Sequence, residues 1–225
     1  MYKRQVYRIA ASSPDYGVAA VLRGTLSHLS AAQHHGLGLI RDPTRTYVTV
    51  RATRSRVSAR DGVRIFYRDI PPEQIDGGVT SVVRTVLDCA RDCSIPDALA
   101  VADSALRYRK ADRDDLLKAA SQMRGPKSKR VQRVVQWADP RAASVMESAL
   151  RGLLCEAGLP IFQPQLPIEV STGDVWHPDL GHPASRVVIE ADSVLNHGGP
   201  SRLEIDTQRY DEFAAAGYVV LRFTW

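Results

Sequence analysis

The stretch "RVVIEADSVLNHGG", residues 186–199, decides how the second half of this chain is interpreted. Its run of β-branched residues is typical of a buried strand. The run ends on two carboxylates, Glu190 and Asp192, and His197 follows five residues after Asp192. Because residues i and i+2 of a strand point to the same face, Glu190 and Asp192 should project together from the end of a core strand. An unpaired carboxylate there is costly and needs a cation or hydrogen-bond donors beside it.

The segments around this strand predict an α/β arrangement. "DPRAASVMESALRGLLCEAGLP" predicts a helix that is capped by Asp139, has Pro140 in its first turn and stops at Gly158. "PSRLEIDTQRYDEFAAAGY" predicts a second helix, which ends at Gly217 before the strand "YVVLRFTW". In the first of these helices, one apolar stripe is expected to face the core: Met146, Leu150, Leu153, Leu154 and Ala157.

The first 138 residues differ from the rest in charge. They hold 24 Lys and Arg against 13 Asp and Glu, a net +11, whereas residues 139–225 hold 6 against 12, a net −6. A Gly-Pro pair and a basic cluster just before residue 138 predict a domain boundary there, giving domains 1–138 and 139–225. Basic surfaces bind DNA through counterion release, although two solvated surfaces of unequal sign are the simpler alternative. The expected DNA contacts are Arg54, Arg56, Lys127, Lys129, Arg130 and Arg133.

The first half predicts a small α+β domain. "TRTYVTVRAT" and "GVRIFYRDI" alternate as strands do, and the arginines between them would reach DNA from a β-hairpin. Three segments with helical spacing follow and form a helical layer, with Pro96 and Asp112 marking helix starts. No apolar run is long enough to span a bilayer, and no signal peptide is recognisable. We therefore expect a cytoplasmic protein without membrane contact or a small-molecule cofactor.

Four carboxylates of the second half form a candidate metal site. Asp179 is expected at the end of the strand beside Glu190, with Glu147 or Asp192 completing the set. Mg²⁺ prefers a few such hard oxygen ligands and keeps some of its waters, and Mn²⁺ suits the same oxygen donors. A bound ion of this kind activates water and stabilises phosphoryl transfer. Asp-x10-Glu-x-Asp is also compatible with surface salt bridges.

Four motifs of the second half carry a family resemblance: "MESALRGLLCEAGLPIFQPQ", "PDLGHPASRVVIEADS", "NHGG" and "RLEIDTQRYDEFAAAGYVVLRFTW". Over residues 144–225 they resemble the DUF559 family, which implies the restriction-endonuclease-like fold shared with very-short-patch repair endonucleases. The resemblance implies that Glu147 is the acidic residue of the first helix and that Asp179 binds metal. Glu190 and Asp192 take the Glu-x-Lys positions of the PD-(D/E)xK motif, so Asp192 replaces the usual lysine. His197 resembles the histidine that follows this strand in the repair enzymes.

The first half resembles AbiEi-type antitoxins of type IV toxin-antitoxin systems. The resemblance rests on "TLSHLSAAQHHGL", "GVTSVVRTVLDCARD" and "ALAVADSALRYRKADRDDLLKAA". In those proteins a winged helix precedes the "VYR" segment, which begins here at Val6. Two functions are therefore expected. One is a metal-dependent DNA endonuclease or nickase, and the other is a non-catalytic antitoxin or DNA-binding regulator with a cognate toxin as partner.

Overall fold

The computed structural model describes residues 14–56, 61–192 and 200–224. Within these ranges the chain is a mixed α/β protein with eight α-helices and eleven strands in three sheets, which confirms the predicted fold class. None of the helices in these ranges combines the length and the apolar character needed to cross a bilayer.

The first sheet has five short strands in the order β3-β2-β1-β5-β4. Helices α1 (Pro14–Val21) and α2 (His28–His34) pack on it around a small apolar cluster that includes Leu26 and Val48. The strands are β1 (Thr25–Leu26), β2 (Thr46–Val50), β3 (Val63–Tyr67), β4 (Ile75–Asp76) and β5 (Val79–Thr80).

The predicted hairpin between the second and third strands is wrong. β2 and β3 pair in parallel, with Val48 opposite Ile65. In a parallel pair both strands run in the same direction, so the chain must return from the end of β2 to the level of its beginning before β3 starts. The connection therefore cannot be a tight turn. Arg54 and Arg56 consequently lie on a return loop that follows β2.

A helical layer follows the first sheet, as the sequence predicts. Three of its four helices begin with a side-chain cap, because Ser81, Ser94 and Asp112 each accept a backbone N–H of the first turn. Pro96 lies in the first turn of the second helix, where its missing N–H costs nothing. The helices are α3 (Val82–Asp92), α4 (Ile95–Arg107), α5 (Arg113–Gln122) and α6 (Ser128–Trp137).

The second half is built on a sheet with the order β11-β10-β9-β6. β10 pairs antiparallel with β9 and parallel with β11, and α8 lies in the connection that parallel pairing needs. A separate antiparallel pair is formed by β7 and β8. The elements are α7 (Val145–Glu156), β6 (Gln163–Pro164), β7 (Ile168–Glu169), β8 (Val175–Trp176), β9 (Leu180–His182), β10 (Val187–Asp192), α8 (Pro200–Ala215) and β11 (Val219–Thr224).

Helix α7 starts later than the sequence predicts. Its N-cap is Ser144, whose Oγ accepts the backbone N–H of Glu147 at 3.1 Å. The Glu147 carboxylate reaches back to the N–H of Ala143 at 2.9 Å, so two groups of the first turn are satisfied at this point. Asp139 instead holds the Arg141 guanidinium at 2.7 Å and does not cap the helix. The predicted stop is confirmed, since Gly158 has a positive φ of 72°.

The face of α7 that packs against α4 is not the predicted apolar stripe. Leu153 is 46% exposed, while Arg151 is buried and pairs with Asp103 of α4 at 3.6 Å. Gly152 allows the two helices to approach closely, because a Cβ at this position would lie 2.5 Å from the Cα of Pro96. The packing therefore continues across residue 138, where the domain boundary stays a prediction.

We expect Gly152→Ala to destabilise the protein by about 1 to 3 kcal/mol, because the new Cβ overlaps backbone atoms that cannot move aside. In an ordinary helix interior the same change stabilises by about 1 kcal/mol. Chemical denaturation of the variant measures the difference. Leu153→Ala, on the exposed side of the same helix, is the control and should stay close to wild type. A stabilised Gly152→Ala variant would contradict the close packing of α7 on α4.

Candidate functional site

Asp179 and Glu190 meet at one end of the second sheet. Asp179 directly precedes β9 and Glu190 lies in β10, and the antiparallel register that pairs Leu180 with Ile189 places them opposite each other. The Ala191 N–H donates to Asp179 Oδ2 at 2.8 Å, and the Asp179 N–H lies 3.5 Å from Glu190 Oε2. The structure thus brings these two carboxyl groups together, as the strand pattern predicts.

Glu147 approaches the pair from the first turn of α7. It is almost fully buried, and besides the Ala143 N–H its Oε2 accepts the side-chain amide of Gln165 at 3.2 Å. Burial, and less strongly the negative charge of Asp179, raise the pKa of Glu147. Gln165 is tied to the site a second time, because its backbone N–H donates to the Asp179 carbonyl at 3.1 Å. We call Glu147, Asp179 and Glu190 the carboxylate site.

Glu190 is the most perturbed member of the carboxylate site. Its side chain is 3% exposed, and burial together with the charge of Asp179 raises the pKa of Glu190 to about 8. A hydrogen bond between the two carboxyl groups acts in the same direction, because it requires one of them to be protonated. Burial and the charge of Asp179 therefore both favour the protonated form of Glu190.

Within the described residues, Arg209 of α8 forms an ion pair with Glu190. Its Nη2 lies 3.2 Å from Glu190 Oε1, yet the angle does not make a hydrogen bond, so this buried oxygen lacks a hydrogen-bond partner within the described residues. The guanidinium also donates to the His177 carbonyl and lies over the Phe213 ring, 5.7 Å from its centroid. No motif in the sequence predicts that Arg209 belongs to the carboxylate site. A buried carboxylate needs a nearby cation, so the basic residues of α8 are the signal in the sequence that could have predicted this pair.

The structure describes only the backbone of one predicted catalytic residue, Asp192, and nothing of another, His197. The backbone of Asp192 ends β10, but its side chain and all of His197 lie outside the described residues. Within the described ranges, no three His, Cys, Asp or Glu side chains come close enough to hold a metal ion by themselves. The roles predicted for Asp192 and His197 stay predictions.

The residues predicted to contact DNA lie in two places. Arg54 and Arg56 follow β2, and the other four lie on or beside α6. Arg130 is used structurally, because it donates to the Cys93 carbonyl at 2.7 Å and to the Arg91 carbonyl at the end of α3. Lys127 pairs with Asp92 at 3.4 Å. Lys129 and Arg133 are exposed.

A buried network in the first half joins a serine, a histidine and an aspartate. Ser27 Oγ lies 2.8 Å from His28 Nδ1, and His28 Nε2 lies 3.3 Å from Asp92 Oδ2. Burial acts to raise the pKa of Asp92, but hydrogen bonds from His28 and Arg68 outweigh it and lower the pKa well below its usual range. Because Ser27 and His28 are completely buried, this arrangement cannot present a nucleophile to a substrate. It joins α2, β3 and α3 as a structural unit.

Comparison with known proteins identifies two relatives without assigned activities. No family model and no solved structure matches the chain. Two uncharacterized proteins from different strains of Mycobacterium tuberculosis are each 32% identical over 143 residues. The match covers 63% of this chain and 53% of each relative, so the chain spans about half the length of the curated relatives it matches.

The raised pKa of Glu190 predicts how stability depends on pH in metal-free buffer. The folded protein keeps a proton that the unfolded chain releases above its usual pKa of 4.5, so stability should fall as pH rises from 4.5 to about 8. The slope is at most about 1.4 kcal/mol per pH unit. Glu190→Gln should remove the part of this fall that Glu190 contributes and should melt above wild type at high pH. The parts due to Asp103 and Glu147, whose pKa values burial also raises, should remain. Thermal melts in EDTA measure both.

Glu169→Gln, which changes an exposed carboxylate of β7, is the matched control for these melts. It should follow the wild-type pH dependence. A Glu190→Gln variant that melts below wild type above pH 8 would show that the ion pair with Arg209 stabilises the fold more than the buried charge costs.

Proposed function

We propose that this chain is a metal-dependent DNA endonuclease or nickase that hydrolyses phosphodiester bonds at the carboxylate site. The observation that carries the proposal is the Asp179–Glu190 pair, in which the Ala191 N–H donates to Asp179 and the Asp179 N–H lies 3.5 Å from Glu190 Oε2. Glu190 is buried and Asp179 is half-buried. Two neighbouring carboxylates repel each other unless a bound proton or a cation reduces their negative charge. Clusters of strongly perturbed acids of this kind occur preferentially at functional sites.

The residues present fit a divalent metal ion such as Mg²⁺ or Mn²⁺. Glu190 Oε1 is buried and accepts no hydrogen bond in the described part of the chain, and its ion-pair partner is the Arg209 guanidinium at 3.2 Å, so a metal ion would bind beside this guanidinium. Mg²⁺ is commonly held by one or two carboxylates and completes its shell with water and substrate phosphate, so Asp179 and Glu190 suffice as protein ligands. A bound ion would supply charge stabilisation at the phosphate and a more acidic water.

Other residues of the chain have supporting roles in this proposal. Glu147, held by Gln165 and the Ala143 N–H, maintains negative charge beside Asp179. Arg209 supplies a fixed positive charge next to Glu190, where it would neutralise a phosphate oxygen of the substrate. His197 would transfer a proton and Asp192 would support the site, while the basic first half holds the DNA.

The second candidate function is a non-catalytic antitoxin or DNA-binding regulator with a toxin as partner. The observation that favours it is the pKa of Glu190, about 8, because a carboxyl pair that shares a proton can stay buried at neutral pH without a metal. Asp192 at the position of the usual lysine points in the same direction. The two functions differ in whether the carboxylate site cuts DNA.

We expect wild type to nick supercoiled DNA with Mg²⁺ or Mn²⁺, and Glu190→Gln to abolish nicking because it removes a metal ligand. Conversion of plasmid from supercoiled to open circle on agarose gels measures activity, and calorimetric titration with Mn²⁺ measures binding. Glu169→Gln should keep both properties, since it lies on the separate β7–β8 pair. A wild type that neither binds Mn²⁺ nor cuts matched, mismatched or single-stranded DNA would favour the regulator.

His197→Ala should slow nicking by roughly 100-fold if His197 transfers a proton in the transition state. Its affinity for Mn²⁺ should stay near that of wild type, because the metal ligands are Asp179 and Glu190. The nicking rate and the titration together separate a proton-transfer role from a metal-ligand role. Equal losses of rate and Mn²⁺ affinity would make His197 a ligand instead.

A further inference from the structure

Three adjoining depressions on the first half form one continuous groove. Arg23 and Arg51 line both the first and the second depression, and Arg68 lines both the second and the third. Arg54 belongs to the first depression. We call this surface the arginine groove, and its charged lining residues are Arg23, Arg51, Arg54, Arg68, Arg84, Arg91 and Asp69.

Among the residues that the structure describes, the lining of the arginine groove holds six arginines against one aspartate, so this part of it is positive. The charges of two of these arginines are balanced by aspartates: Arg84 pairs with Asp88 at 2.9 Å, and Arg68 pairs with Asp92 at 2.6 Å. The remaining four provide the free charge. Within the described residues, no carboxylate forms an ion pair with these four, which are Arg23, Arg51, Arg54 and Arg91.

Arg23 occupies a position in which glycine would be more stable. The Arg23 N–H donates to the Ala20 carbonyl and the Gly24 N–H donates to the Ala19 carbonyl, which is the Schellman arrangement at the end of α1. In this arrangement Arg23 is the residue with left-handed backbone, and its φ is 46°. A side chain at that position is strained relative to glycine. Arg109 occupies the same position at the end of α4, so the capping position alone does not indicate a ligand. What distinguishes Arg23 is that its exposed side chain lines the groove.

We propose that the arginine groove binds the phosphate backbone of duplex DNA. Guanidinium groups pair with phosphates in two-point hydrogen bonds, and exposed arginines along a continuous groove match a polyanion better than a single small anion. The groove adds a DNA surface to that of the α6 region, where Arg130 and Lys127 contact protein groups while Lys129 and Arg133 are exposed. Within the groove, Arg54 likewise donates to a protein group, the Leu22 carbonyl. This proposal specifies the DNA-holding surface of the proposed function, and it does not require cleavage.

Arg23→Gly tests the proposal, and the chain provides a matched control. Arg109 is exposed, does not line the groove, and occupies the same capping position at the end of α4 with φ 54°. Its N–H donates to the Leu106 carbonyl, and the Lys110 N–H donates to the Ala105 carbonyl. Arg23→Gly and Arg109→Gly each remove one positive charge and the same backbone strain. Both variants should melt at or above the wild-type temperature.

Fluorescence anisotropy with a labelled DNA duplex in EDTA measures binding over a range of salt concentrations. We expect Arg23→Gly to weaken binding by roughly 3- to 10-fold at physiological salt and to reduce the slope of log K against log salt by about 1, the loss of one phosphate contact. Arg109→Gly should retain the wild-type slope. Arg51→Gln combined with Arg91→Gln should reduce the slope by about 2.

Several results would overturn the proposal: no binding by wild type at low salt, equal effects of Arg23→Gly and Arg109→Gly, or competition by poly-glutamate as effective as competition by duplex. The last result would assign the groove to an acidic protein segment. Glu169→Gln, on the separate β7–β8 pair, should bind like wild type in this assay. Absence of nicking combined with intact groove-dependent binding would reject the nuclease and keep the groove, and the reverse combination would reject the groove alone.

Discussion

The buried ion pair between Asp103 and Arg151 is the constraint on which the arrangement of the two halves depends. Both side chains are almost completely removed from solvent, and burial raises the pKa of Asp103 to about 6 in spite of the nearby guanidinium. Separating α7 from α4 would leave an uncompensated charge in the interior, which is strongly unfavourable. Since α7 also carries Glu147 and packs near β10, the pair fixes the carboxylate site relative to the helical layer.

Three buried or half-buried carboxylates show how differently this fold treats negative charge. Asp92 contacts three basic side chains, those of His28, Arg68 and Lys127, which together balance its negative charge. Asp103 has one guanidinium and the Asp139 N–H. Glu190 differs from these two because the negative charge of a second carboxylate, Asp179, acts on it together with burial. This like-charged neighbour distinguishes Glu190 from the two aspartates, and it is the feature on which the proposed metal site rests.

Much of the fold and part of the carboxylate site follow from local patterns in the sequence. The β-branched run predicts β10, the alternation places Glu190 on one face, and the pattern before it predicts a neighbouring strand at Asp179. These predictions succeed because strand periodicity and register are local properties. The predicted start of α7 is wrong because both Asp139 and Ser144 are residue types that can cap a helix. Ser144 is the N-cap, since Glu147 donates its N–H to Ser144 Oγ and accepts the Ala143 N–H with its carboxylate. Periodicity predicts part of the packed surface of α7, because Leu150 is buried against the second sheet with Leu154 beside it, while Leu153 is exposed. It does not predict the face toward α4, where Arg151 is buried because it pairs with Asp103.

The sequence by itself determined the mixed α/β class, the strand that carries Glu190, the helix stops at Gly158 and Gly217, and the positive charge of the first half. Each of these depends on a side chain and its near neighbours along the chain. The tertiary structure decided that β2 and β3 run parallel, that Arg209 lies beside Glu190, and that arginines from separate elements line one groove. Such features join residues far apart in the chain, and their geometry depends on how whole elements pack, which no local pattern encodes.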